Sequence, residues 1–128
     1  MEYKLVSEFH TSAPVRSLTE ASAGEIYSGG EDACVRNFSI LEASGELDPT
    51  ATVMQHDHWV TALTYLAPGN SVCPEGCVVS GCRDSVIRLF SKQGVLLKEL
   101  KGHTGGVISF SWQGERLISG SWDGSAKV

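Results

Sequence analysis

The sequence predicts an all-β protein assembled from three repeats of short antiparallel strands. Three observations carry that prediction. Glycine is abundant and scattered, 14 of 128 residues, while proline is scarce at 4; many tight turns imply many short strands. The apolar runs are short and rich in β-branched and aromatic residues, and no segment sustains a helical period. One pattern also recurs three times. It reads His10, Val15, Ser28-Gly29-Gly30-Glu31-Asp32, Phe38, then His56, Val60, Ser80-Gly81-Cys82-Arg83-Asp84, Phe90, then His103, Val107, Ser119-Gly120-Ser121-Trp122-Asp123. The valines return at intervals of about 45 residues, the period of a four-stranded propeller blade.

The elements follow in order. Residues 3–9 alternate polar and apolar and predict a leading outer strand. Repeat one is placed at 10–55, repeat two at 56–100 and repeat three at 103–128. Repeat two is the most readable. Val60–Leu66, Cys77–Ser80, Ser85–Phe90 and, after the Gln93-Gly94 turn, Val95–Leu100 predict its four strands. Its longer middle loop explains why the aspartates are less evenly spaced than the valines. Counted across the chain, twelve strands and no helix are expected. Each Asp between the second and third strands of a repeat suits a tight turn, because its side chain can accept from its own backbone.

Composition excludes several function classes. A net charge of -5 argues against a protein that coats nucleic acid, so no nucleic-acid partner is expected. With 41% hydrophobic and 20% charged residues the chain reads as globular. It has no apolar run long enough for a transmembrane helix and no signal-peptide core at its start. No membrane partner is expected, and the cytoplasm or nucleus is the expected compartment. Cys34, Cys73, Cys77 and Cys82 are then read as reduced thiols.

The segments Gly102-His103-Thr104-Gly105-Gly106-Val107 and Ser119-Gly120-Ser121-Trp122-Asp123-Gly124-Ser125-Ala126-Lys127-Val128 resemble a WD40 repeat, and the other two repeats are degenerate but in register. The resemblance implies a WD40 β-propeller of three four-stranded blades. It also implies a buried chain of hydrogen bonds in each blade: Asp accepts from a His ring, and the His accepts from a hydroxyl. A buried Asp is costly unless paired in this way. The implied sets are Asp32, His10 and Ser28; Asp84, His56 and Ser80; and Asp123, His103 and Ser119. Phe38 and Phe90 occupy the position of a Trp that would donate to the hydroxyl, so the chain of bonds stops at Ser there. His10 lies one residue farther from its Val than His56 and His103 lie from theirs.

An Asp-His-Ser set also serves nucleophilic hydrolysis on other folds. Its recurrence in every repeat, without a Gly-x-Ser-x-Gly elbow, favours a structural role, and no catalytic residue is expected. The cysteines leave three readings open: small core hydrophobes, redox-sensitive thiols, or a metal site of Cys73, Cys77 and Cys82 completed by His56 or His58. The first is favoured, with Cys73 the most exposed, and neither metal nor cofactor is expected.

The resemblance also implies where a partner binds. The residue before each turn Asp faces the top of a WD40 propeller, which gives Glu31, Arg83 and Trp122. The residues before the second valine add Asp57, His58 and Trp59. Trp and Arg are common interface anchors, so Trp59, Arg83 and Trp122 lead the set.

Leu117–Val128, the early first repeat and the extended loop Ser71-Val72-Cys73-Pro74-Glu75-Gly76 are similar to the N-terminal propeller of the phospholipase A-2-activating protein family. That likeness implies a non-catalytic, ubiquitin-binding scaffold acting in ubiquitin-dependent protein turnover. The alternative is a scaffold subunit of another complex, and a hydrolase is the remote one. Propellers close with roughly four to eight blades. Three blades therefore suggest a piece of a larger propeller, or two copies paired head to tail into a six-bladed ring.

Overall fold

The computed structural model describes residues 8, 10–21, 24–41, 44, 47–71 and 73–128. Among them it shows eleven strands and no helix, gathered into three antiparallel sheets. The expected leading strand at 3–9 lies outside the described residues.

Blade one orders β1 (Val15–Glu20), β2 (Glu25–Gly30), β3 (Cys34–Ile40) and β4 (Leu47–Gln55). Blade two orders β5 (Val60–Leu66), β6 (Cys77–Cys82), β7 (Ile87–Ser91) and β8 (Leu96–Leu100). Blade three orders β9 (Val107–Gln113), β10 (Arg116–Ser121) and β11 (Ala126–Lys127). The first strands β1, β5 and β9 lie side by side from blade to blade. In each blade the pairing of first and second strands slips near its start, at Val15/Ser17, Val60/Ala62 and Gly120/Ser121. The bulge is thus part of the repeat, and it re-aims the residues at that end of the sheet.

The core sits between blades. β6 is buried throughout, and its period-2 alternation feeds two different interfaces. Val78 packs with Tyr27, Val35 and Met54 of blade one. Cys77 and Val79 pack instead with Val107 at the start of blade three. Burial on both faces explains why this strand reads as a continuous apolar run. A valine side chain so enclosed contributes roughly 1.5–3 kcal/mol.

Close approach at the interface requires glycine. A Cβ on Gly81 would lie 2.7 Å from Cγ1 of Val107 and 3.1 Å from Cζ of Phe110. A Cβ on Gly29 would meet Val60 in the same way. The Ser-Gly pair of one blade therefore seats the Val of the next, and this ties the recurring residues to the stacking. Polar links reinforce it. Trp112 donates its indole N–H to Thr64 Oγ1 at 2.8 Å, Thr61 donates to the Val107 carbonyl, and Lys92 pairs with Glu25 at 3.1 Å. Trp112, on the first strand of blade three, is accordingly half-buried against the second cluster.

Candidate protein-binding face

The turn between second and third strands is the same in every blade. Ala33, Ser85 and Gly124 donate their N–H to the carbonyls of Gly30, Cys82 and Ser121, closing four-residue turns. All three donors sit at positive φ, 65°, 74° and 84°. The Asp just before accepts from the backbone N–H two residues on: Cys34 N to Asp32 Oδ1 at 3.2 Å, Val86 N to Asp84 Oδ1 at 3.0 Å and Ser125 N to Asp123 Oδ1 at 2.8 Å. Asp is suited to this because its short carboxylate reaches its own turn.

That geometry fixes the residue preceding each Asp. Glu31, Arg83 and Trp122 donate their backbone N–H to the carbonyls of Pro14, Trp59 and Gly106, at 3.0, 2.9 and 2.9 Å. The pairs Pro14–Glu31, Trp59–Arg83 and Gly106–Trp122 therefore line one end of successive blades. Here the side chains interlock across blades. The Arg83 guanidinium stands 4.5 Å from the centroid of Trp59 and 5.9 Å from that of Trp122. Arg16 stands 5.3 Å from Trp59, and its Nε donates to Glu31 at 2.8 Å. Trp122 is 55% exposed, its ring lying over Gly106 and beside the Arg83 backbone. Trp59 is half-buried, and Asp57, His58 and Arg83 are exposed. His58 accepts the Trp59 N–H on Nδ1 at 2.8 Å. The face thus joins apolar rings to uncompensated charge. Arg16 and Gly106 were absent from the residues expected there. The signal for both is their register: each neighbours a valine of the repeat.

The hydrogen-bond sets differ between blades. In blade three His103 Nδ1 meets Asp123 Oδ2 at 2.8 Å and its Nε2 meets Ser119 Oγ at 2.7 Å. The ring donates from Nδ1 to the carboxylate and accepts the hydroxyl on Nε2. Asp123 also accepts from the Ser125 hydroxyl and the Thr104 N–H. Hydrogen bonds from Ser125 first, then from His103 and the two backbone N–H groups, outweigh burial and hold its carboxyl well below the usual carboxylate range.

In blade two His56 Nε2 meets Ser80 Oγ at 2.7 Å, but its Nδ1 faces the Met54 carbonyl at 3.3 Å. The expected His56–Asp84 bond does not form. Arg88, four residues after Asp84, takes the carboxylate through two nitrogens at 2.7 and 3.3 Å. Burial pushes Asp84 up, yet the Arg88 and Val86 bonds bring it net below its ordinary value. In blade one the expected set is corrected further. Arg36 takes Asp32 in the same i,i+4 manner. His10 has a side chain 82% exposed and pairs with Glu8 at 3.4 Å. Ser28 is buried without His10. Phe38 is buried, and Phe90 packs its ring 5.2 Å from that of His56.

The cysteines also differ from expectation. Cys73 is buried, not exposed, because Asn70 ties its N–H and carbonyl into the loop at 2.7 and 2.8 Å. Burial and contact with Cys73 push the Cys77 thiol up to about 12, and burial pushes Cys82 up. Protonated, buried thiols are poor nucleophiles. Among the described residues no group of three or more His, Cys, Asp or Glu is placed to hold a metal. His56 is committed to Ser80 and the Met54 carbonyl.

A groove of about 580 Å³ runs between blades two and three, lined by Leu100, His103, Arg116, Leu117, Ser119 and Lys127 among others. Ser119 sits at its floor in mid-strand, 4% exposed and paired to Phe110 and Lys127.

The family model described as WD domain, G-beta repeat, matches residues 47–91 and 94–128. The chain belongs to the WD40-repeat family. WD40 propellers are generally non-catalytic scaffolds that mediate protein–protein interactions. The WD40 beta propeller domain of Doa1, a crystal structure, superposes with a TM-score of 0.77 at 24% identity over 93% of this chain and 38% of that one. Protein DOA1 of Saccharomyces cerevisiae is 35% identical over 113 residues, 77% of this chain and 16% of that protein. Ribosome biogenesis protein YTM1 of Debaryomyces hansenii is 25% identical over 77% of this chain and 24% of its own length. Ribosome biogenesis protein WDR12 homolog of Nematostella vectensis is 30% identical over 59% and 18%. The chain spans a quarter or less of these curated relatives. No helix among the described residues is long and apolar enough to cross a membrane.

Proposed function

We propose that this WD40 chain is a protein-binding scaffold in the cytoplasm or nucleus, with no catalytic role, and that its partner is ubiquitin. The single observation behind the binding face is the pair Trp59 and Trp122 flanking an exposed Arg83 at one end of adjacent blades. An indole left 55% exposed is expensive to hydrate and gains from being covered. Ubiquitin as the partner is supported by the likeness to the phospholipase A-2-activating protein family and by the similarity to Doa1.

Titrating isotope-labelled ubiquitin with the chain and following its amide shifts tests the reading. Saturable shifts are expected, weakened by Trp122→Ala or Arg83→Glu with the melting temperature unchanged. No shift at millimolar concentration removes ubiquitin. The similarity to two ribosome biogenesis proteins favours a second reading, a scaffold subunit of a ribosome-assembly complex; it gains if the shifts are missing. Hydrolysis at Ser119 is tested by Ser119→Ala, which should lower stability and leave no turnover to lose. Light scattering tests the head-to-tail ring: a solution of monomer alone ends it.

A further inference from the structure

Among the described residues of the binding face, Arg83 is the arginine without a carboxylate partner. Arg16, on the other side of Trp59, is held by Glu31. Arg36 and Arg88 are held by Asp32 and Asp84. Asp123 is taken by His103, Ser125 and Thr104. Asp57 is exposed in the loop before Trp59, and Arg83 makes no ion pair with it or with any other described residue.

What Arg83 does have is two aromatic neighbours. Trp59 and Trp122 come from adjacent blades and bracket it at 4.5 and 5.9 Å. Stacking engages the flat faces of a guanidinium and leaves its in-plane N–H groups free. It also restricts a side chain that would otherwise lose much rotamer freedom on binding. A planar fork of donors held in place matches a carboxylate bidentately. The exposed Trp122 ring adds an apolar wall beside it.

We propose that Arg83, bracketed by Trp59 and Trp122, is a carboxylate subsite. It takes the Asp or Glu side chain of an extended peptide segment whose neighbouring apolar residue packs on Trp122. This deepens the protein-binding reading of the face and rests on it. Most exposed ion pairs contribute little. This one differs because the guanidinium is already held against two indole rings.

Two N-acetylated, C-amidated peptides, one with a Leu-Glu-Leu core and one with Leu-Gln-Leu, are titrated into the 128-residue chain at low salt. Tryptophan fluorescence reports binding. The Glu peptide is expected to bind about tenfold tighter than the Gln peptide, with the gap shrinking as salt is added. Arg83→Gln abolishes the gap at unchanged melting temperature, and Trp122→Ala weakens both peptides. Gly106→Ala keeps every charge but pushes on the Trp122 ring and the Arg83 backbone, and also weakens both. Equal binding of the two peptides, binding of neither, or a Glu preference that survives Arg83→Gln overturns the subsite. Ubiquitin shifts that persist in those cases leave the protein-binding reading standing. A Glu preference without ubiquitin shifts keeps the subsite and removes ubiquitin instead.

Discussion

Blades two and three carry the same Ser, Asp and His at matching places and connect them differently. In blade three the Asp turns inward to the His ring. In blade two the Asp turns to an arginine, and the His falls back on a backbone carbonyl. Two neighbouring positions separate the cases. Four residues after the Asp stands Arg88 in blade two but the exposed Lys127 in blade three. Two residues after it stands Val86 in blade two but Ser125 in blade three, whose hydroxyl donates to Asp123. A bidentate arginine outcompetes an imidazole N–H for a carboxylate. A shared motif thus specifies the turn, while its neighbours decide which partner the buried end of the motif keeps.

The largest effect expected from this contrast comes from deleting the two histidines. His103→Ala leaves Ser119 unpaired in a buried strand and takes one donor from Asp123, at about 3 kcal/mol. His56→Ala takes the histidine partner from Ser80 but leaves it the Arg88 carbonyl at 3.4 Å, and Asp84 keeps Arg88, so it should cost about 1.5 kcal/mol. Urea unfolding of both variants measures the gap. Equal losses would mean that the Asp link adds nothing to blade three.

The next test moves one arrangement into the other blade. Arg88→Lys with Val86→Ser gives blade two the neighbours of blade three. Asp84 should then turn to His56 Nδ1, and the histidine should titrate higher, as followed by NMR of its ring. Arg88→Lys alone is expected to lose about 1 kcal/mol, and the second substitution to recover part of it. A His56 titration that does not move would show that these two positions do not choose the partner.

The blades should also lose stability in different pH windows. Burial first, opposed by the Met54 carbonyl and aided by Arg88, places His56 below its ordinary 6.5 in the folded chain. The unfolded chain therefore takes the proton first, and stability falls as pH drops below that value. Asp84 and Asp123 lie below their ordinary 3.8, so what they contribute is present above it and is lost only as pH falls through their folded values. Melting temperatures taken at intervals between about pH 7.5 and 1.5 should show both limbs. His56→Gln should flatten the upper limb and leave the lower one intact.

Much of this was readable in the chain, for a local reason. Turn chemistry depends on residues adjacent in sequence, so Asp32, Asp84 and Asp123 announce their turns. The recurrence of Gly81 and Val107 was readable, but that the missing Cβ of one blade seats the valine of the next needed the structure. The choice of carboxylate partner was written at Arg36 and Arg88 but needed geometry to rank it against His10 and His56. The grip of two indoles on Arg83 was not readable. It joins residues from different blades, and only the bulged pairing of first and second strands brings them to one end. Cys73 misled because a loop cysteine looks exposed until Asn70 is seen to fold the loop back.

The smallest expected effect separates the turns themselves. All three place the residue after Asp at positive φ, yet only blade three uses glycine there, Gly124 at 84°. Ala33 at 65° and Ser85 at 74° carry a Cβ that crowds the following carbonyl. Ser85→Gly should therefore stabilise blade two by about 0.5 kcal/mol, the relief of strain being partly offset by a more flexible unfolded chain. Gly124→Ala should cost blade three about 1 kcal/mol, since nothing within 4 Å compensates the added methyl. If thermal unfolding shows the two substitutions shifting stability in the same direction, backbone strain is not what distinguishes these turns, and the Asp bonds alone set their geometry.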